Sequence, residues 1–312
     1  MAEITVSMVK ELRERTQAGM SDCKNALVEA GGDLDAAVEV ILKKGLVKAA
    51  ARAGRIAAEG EVRTHVSPDG KRGVIVEVNC QTDFVARGDD FKGFVTKVVE
   101  VASKLPKGTD LGAQKYPGTD RTIDDVRGEM VAKSGENTVI RRWDLVEAKE
   151  PGGFVHSYIH AGGKLAVLVH ADAPSADAVK NADVVAFVDN AAMQIAAMSP
   201  IVVRKEEVSD AQAAKQREIF DAQMKEDPKQ PPAAAWQKIL DGKINKWFTE
   251  VTLLGQQNVW DPAKGTVDSI RQELSKSAGG EVKIVSFVRF GLGEGIEKKT
   301  DDLAAEVAKL TT

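Results

Sequence analysis

The feature that most constrains the fold of this chain is an internal repeat. Thr64–Val78, THVSPDGKRGVIVEV, lies over Ser157–Ala171, SYIHAGGKLAVLVHA, with no gap. Each stretch reads as a strand, a Gly-containing turn, a Gly-Lys pair and a continuous apolar strand. Gly70-Lys71 falls on Gly163-Lys164, and Val74-Ile75-Val76 falls on Val167-Leu168-Val169. A helical pattern follows each copy: Phe91, Phe94, Val95, Val98 and Val99 after the first, Val184, Phe187, Val188, Ala191 and Ile195 after the second. Chance could produce one pair of hairpins, but matched helices behind both favour duplication. An apolar sheet face must be covered, so the pattern predicts two related α+β subdomains, each a small antiparallel sheet with helices on one face.

The regions around the repeat are helical. Val6, Val9, Leu12 and Arg13 give the first helix, ending near Gln17–Met20. Ser21 is the expected N-cap of a second helix carrying Cys23, Ala26, Leu27 and Ala30, which Gly31-Gly32 stops. Asp33 caps a third, with Leu34, Ala37, Val38, Ile41 and Leu42 on one face and Gly45 as its close. Such a module has a core too small to do much alone, so it is expected to bind or tether. The Ala-rich, basic run 46–59 reads as a helical linker.

Within the second half, residues 208–254 read as an inserted helical hairpin. One arm is polar, PKQPP (Pro228–Pro232) is the loop, and Trp236, Leu240, Ile244, Trp247, Val251 and Leu254 stripe the return arm. Its tryptophans either form a self-association surface or pack into the domain. The tail from 281 reads as a strand, then GLGEG, then a helix from Ile296 to Leu310 that docks on its own domain or reaches a partner. The expected divisions are 1–55, 56–145, 146–285 with the insertion at about 208–254, and 286–312.

Composition narrows the partners. The 47 acids and 43 bases leave a net charge of −4. Such a chain is not built to grip a phosphate backbone or an anionic membrane over a wide surface. Cys23 and Cys80 stand far apart and form neither a disulfide framework nor a metal motif. The start, MAEITVSMVKELRERT, has no apolar core of a signal peptide, and no apolar run reaches spanning length. A soluble cytoplasmic protein is expected.

No reaction chemistry emerges. DGKRG, GGKLA and DGKIN lack the Ser or Thr that follows Gly-Lys in a phosphate loop, and read as turns. GLGEGI has Ile296 where a dinucleotide fingerprint needs its last Gly, and Glu294 would repel a pyrophosphate. His156 and His160 have no third metal ligand in view. No base is identifiable beside Cys80, and Asp89-Asp90 and Asp124-Asp125 read as solvated surface. The expectation is no enzyme, no cofactor and no metal.

The stretch VEVNCQTDFVARGDDF, Val76–Phe91, raises a sharper question: why a Phe follows Asp83 at a polar corner. Periodicity makes Asp83 an N-cap and Phe84 the first residue of the core stripe continuing at Phe91 and Phe94. Against this, Gly88 and three charges separate Phe84 from Phe91, a poor first turn for burial.

NCQTDFVARGDDF resembles the signature of translation elongation factor Ts, the guanine nucleotide exchange factor of elongation factor Tu. VKELRERTQAGMSDCKNAL is similar to that family's ubiquitin-associated-like module. YIHAGGKLAVLV, AAMQIAAMSP, GKINKWFTEVTLLGQ and RFGLGEGIEKKTDDLAAEVA also match in order, covering nearly the whole chain. Gln17 stands where the family usually has Gly.

The resemblance implies the same α+β plan: an N-terminal three-helix ubiquitin-associated-like module, a two-part core, a coiled-coil hairpin in the second part, and a C-terminal helix. It also implies that the Thr82-Asp83-Phe84-Val85 corner enters the nucleotide domain of elongation factor Tu near its magnesium site. Lys24, Arg52 and His160 are implied as further partner contacts, and the C-terminal helix as docking beside the nucleotide domain. The partner is expected both GDP-bound and nucleotide-free, with the hairpin offering a homodimer or 2:2 complex. The rival is a passive adaptor or chaperone of elongation factor Tu that leaves nucleotide exchange untouched.

Overall fold

In the computed structural model, which describes residues 4–16, 18–52, 54–227 and 231–297, the chain opens with α1 (Val6–Thr16), α2 (Met20–Glu29) and α3 (Leu34–Arg52). Val9, Leu12, Cys23, Ala26, Leu27, Ala37 and Ile41 form a small core among them. The Asp33 Oδ1 accepts from the Ala36 amide at 2.9 Å, so Asp33 caps α3 as its sequence position predicts. Two local expectations are corrected. Gly19, not Ser21, is the N-cap of α2, because the helix already begins at Met20. Gly45 does not close α3, which continues through Arg52. A single Gly costs a helix only about 1 kcal/mol, and the Ala-rich run beyond it favours helix. Gln17 lies outside the described residues.

The first copy of the repeat supplies β1 (Glu59–Val66) and β2 (Arg72–Cys80). Gly70, at φ 69, makes the turn between them, and Asp69 accepts from the Lys71 amide at 3.0 Å. On β2, Val74, Ile75, Val76, Val78 and Cys80 are all buried. There follow α4 (Asp83–Arg87), α5 (Asp89–Ala102), α6 (Ile123–Ser134) and β3 (Thr138–Glu147), and the sheet order is β1-β2-β3. The stripe Phe91, Phe94, Val95, Val98 and Val99 is buried on α5, with Phe94 stacked on Tyr116. α3 packs on α6.

Periodicity does not single out β3, and the reason is a buried charge. Glu77 on β2 is fully buried, and Arg141 and Arg142 of β3 reach it at 3.0 and 2.5 Å. The Gly293 amide donates to the same carboxylate at 2.8 Å. GLGEG is therefore a turn anchored on a buried ion pair. Removing one partner of such a group costs about 3–5 kcal/mol.

The second copy forms β4 (Gly153–His160) and β5 (Leu165–Asp172), paired antiparallel from Gly153↔Asp172 to His160↔Leu165. α7 (Ala182–Met198) follows. The alignment that lays Thr64 over Ser157 also lays Phe91 over Val184, Phe94 over Phe187, Val98 over Ala191 and Ala102 over Ile195, every one buried. The hairpin comprises α8 (Asp210–Glu226) and α9 (Trp236–Val251), and α10 (Val267–Ser277) precedes β6 (Lys283–Gly291) in a sheet of order β4-β5-β6.

Neither hairpin tryptophan stands out in solvent. Trp236 and Trp247 are half-buried, and the Trp236 indole donates to Asp221 at 2.8 Å. Leu240 and Ile244 of the stripe are buried. The loop after α9 is held by amides: buried Gln194 donates to Gln256 at 3.0 Å and accepts from the Val259 amide at 2.9 Å.

The chain is thus α+β, with two small antiparallel three-stranded sheets among the described residues. Its described residues fall into two compact units. One holds the chain up to Val62, Val76–Trp143 and from Gly291 onward; the other holds Arg63–Ile75 and Asp144–Phe290. Among the described residues no helix is long and apolar enough to cross a membrane. The C-terminal helix expected from Ile296 does not begin there, since Ile296 and Glu297 are irregular; its remainder, 298–310, and residues 228–230 of the hairpin loop lie outside the described residues.

Candidate functional site

The corner after β2 is a helix of one short turn. Thr82, in extended backbone at φ −121 and ψ 155, is its N-cap, and its Oγ1 accepts from the Val85 amide at 3.4 Å. Asp83 is therefore the first helical residue and not the cap. Gly88 ends α4 and in the same step caps α5, at φ −66 and ψ 145. This break decides the fate of Phe84. The core stripe begins after it, so Phe91 is 1 % exposed while Phe84 is 83 % exposed. The periodic reading, which makes Phe84 the start of that stripe, fails because Gly88 resets the helix.

A Phe left in water forgoes the roughly 1.5–3 kcal/mol that burial would contribute. The corner itself is well held. The Thr82 amide donates to Glu136 Oε2 at 3.0 Å, and the Thr82 hydroxyl donates to Glu136 Oε1 at 2.7 Å. Asp83 and Arg87 form an ion pair at 2.7 Å, largely in solvent and worth little. Beneath Val85 lies a cavity of about 260 Å³ lined by Val85, Gly88, Phe91, Met130, Lys133 and Ser134. Cys80 is buried, its thiol donating to the Thr82 carbonyl at 3.2 Å. That position suits a packing group better than a nucleophile.

The comparisons with known proteins agree with one another. The family described as Elongation factor TS matches residues 81–294. An "Elongation factor Ts" of Clostridium perfringens is 43% identical over 309 residues, covering 98% of this chain and 99% of that protein. Those of a Nitratiruptor species and of Symbiobacterium thermophilum are also 43% identical, each covering 98% or more of both chains.

The chain belongs to the elongation factor Ts family.

It is accordingly a translation elongation factor. The other residues singled out by the resemblance to elongation factor Ts fall in three places. Lys24 is exposed on α2, between the buried Cys23 and the exposed Asn25. Arg52 is the last residue of α3, and its side chain lies outside the described residues. His160 ends β4, exposed, with its ring stacked on Tyr158 at 6.0 Å and its Nδ1 3.0 Å from the Tyr158 hydroxyl. Lys24 and Arg52 share a compact unit with Thr82–Val85, and His160 belongs to the other. His156 is engaged by Asp189 at 2.9 Å. Sequence reading passes over Glu136 as a partner of the corner. The signal for it was Gly135, whose left-handed φ of 77 ends α6 and turns the chain toward Thr82.

Proposed function

We propose that this chain binds elongation factor Tu and accelerates its release of GDP by inserting the Thr82-Asp83-Phe84-Val85 corner beside the partner's nucleotide and magnesium site. The observation that carries the reading is Phe84, 83 % exposed on a capped turn that the core does not use. An exposed aromatic on a rigid mount has the form of an interface hot spot. Exchange requires no bond to be made or broken. It requires factor and nucleotide to weaken each other's grip, a reciprocal coupling in which about 1.4 kcal/mol changes an affinity tenfold. A wedge supplies this by binding best to a partner conformation whose phosphate and magnesium ligands are displaced.

Lys24, Arg52 and His160 add further contacts to the partner, by resemblance to the family. The partner is taken in its GDP-bound form and kept in its nucleotide-free form, in the cytoplasm. The hairpin is offered as the surface for a homodimer or a 2:2 complex.

Release of a fluorescent GDP analogue from elongation factor Tu tests the proposal. The native chain is expected to accelerate it, and the Asp83→Ala, Phe84→Ala double variant to lose most of that effect while keeping its fold. A native chain that binds elongation factor Tu with GDP release unchanged leaves a passive adaptor, and the exchange reading falls.

A further inference from the structure

We infer that Glu136 is a positioning residue for the corner: its carboxylate pre-sets Thr82–Val85 in the binding-competent shape, and so governs how tightly the partner is engaged and not how fast nucleotide leaves once it is. The inference rests on the exchange reading above for its kinetic consequence, but its structural half stands without a partner.

The geometry carries it. Both oxygens of Glu136 are used on one residue, at 3.0 Å from the Thr82 amide and 2.7 Å from the Thr82 hydroxyl. That hydroxyl donates to Glu136 while accepting from the Val85 amide at 3.4 Å, so clamp and helix cap are one relay. A chain of this kind polarises its members and fixes the hydroxyl's direction. Apart from the Cys80 thiol on the Thr82 carbonyl and its contact with α5, α4 is lightly held among the described residues. It has no buried residue, it is five residues long, and the cavity beneath Val85 leaves its apolar side incompletely packed. A lone turn is unfavourable in isolation, so its shape depends on its attachments.

The duplicate offers a contrast. Ser175 stands where Thr82 stands and its Oγ accepts from the Ala178 amide at 3.2 Å, but the turn that follows is a 3-10 turn whose N-cap is Asp177, with no side-chain cap bond. Among the described residues no carboxylate clamps Ser175, and the position aligned with Phe84 is Asp177. The carboxylate clamp is found where the corner carries the exposed aromatic.

A corner present in its competent shape only part of the time binds with an affinity reduced by that fraction. Saturating factor restores the full rate. Glu136→Gln keeps the size of the side chain but has one acceptor oxygen for two donors. Titrating this variant against elongation factor Tu loaded with a fluorescent GDP analogue is expected to raise the half-saturating concentration about tenfold. The plateau release rate should stay within about twofold of native.

A plateau that falls at an unchanged half-saturating concentration, or no change in either, overturns the inference. So does a fall in the thermal midpoint large enough to explain the loss. Hydrogen exchange of the free protein is the second arm: the Thr82 and Val85 amides should exchange at least tenfold faster in Glu136→Gln, and equal protection contradicts the clamp. If the native chain fails to stimulate release, the exchange reading fails, while the hydrogen-exchange arm still decides the role of Glu136.

Discussion

Two turns of this molecule occupy the same place in the repeated unit and differ in what they present to water. In the first copy the link from β2 to α5 carries Phe84, 83 % exposed. In the second, the link from β5 to α7 has Asp177 at the aligned position. Behind both links the buried helical stripe agrees position by position, and Thr82 and the aligned Ser175 each accept from the amide three residues on, although the first turn is a short α-helix and the second a 3-10 turn. The second copy folds without an aromatic at this corner, so the hairpin–helix unit does not need one. The duplicate is an internal control that separates what the fold requires from what one corner adds.

That comparison can be broken most forcefully at its shared core. Phe94 and Phe187 are aligned and buried, at 1 % and 4 % exposure. Truncating either to Ala should destabilise by about 3–5 kcal/mol, read as a fall in the urea midpoint. A large loss at one position and none at the other would end the equivalence of the two helices.

A smaller effect sharpens a difference between the copies. Gly73 aligns with Ala166. A Cβ on Gly73 would stand 2.6 Å from Val155 Cγ1 and 3.2 Å from Leu168 Cδ2. Gly73→Ala should therefore cost about 1–3 kcal/mol by overpacking. Ala166→Gly should cost about 0.5–1 kcal/mol through chain entropy. Urea unfolding of the two variants gives the ranking.

The smallest expected effect separates the two turns. Ser175→Ala removes one exposed turn bond and should cost about 0.5–1 kcal/mol. Thr82→Ala also removes the hydroxyl's bond to Glu136 Oε1, though the backbone amide keeps its bond to Oε2, and should cost more, with the excess removed in a Glu136→Ala background, as a double-mutant cycle would show. Equal costs at both turns in either background would mean that the clamp contributes nothing to stability.

Much of this was legible in the sequence because it is local. Turn residues and strand alternation mark the hairpins, and helical spacing marks the stripes of α5 and α7. What stayed hidden depends on partners distant in the chain. Glu77 sits in an apolar strand and makes sense only with Arg141, Arg142 and the Gly293 amide around it. α3 outruns Gly45 and packs on α6, distant in the chain. Phe84 misled periodicity because a single residue, Gly88, ends one helix and starts the next. The family resemblance pointed to the corner where spacing pointed to the core, and the exposure of Phe84 rules out the core alternative.

Exchanging the two corners is the most direct test of the account. Phe84→Asp makes the first corner resemble the second, and Asp177→Phe does the reverse. Stimulated GDP release from elongation factor Tu is measured for each beside its thermal midpoint. The account predicts that Phe84→Asp loses release by about thirtyfold or more, a hot-spot loss of at least about 2 kcal/mol, at an unchanged midpoint. Asp177→Phe should release GDP as the native chain does. Native-like release by Phe84→Asp, or a midpoint that falls in step with its activity, would contradict the claim that the first corner was given its aromatic for a partner and not for the fold.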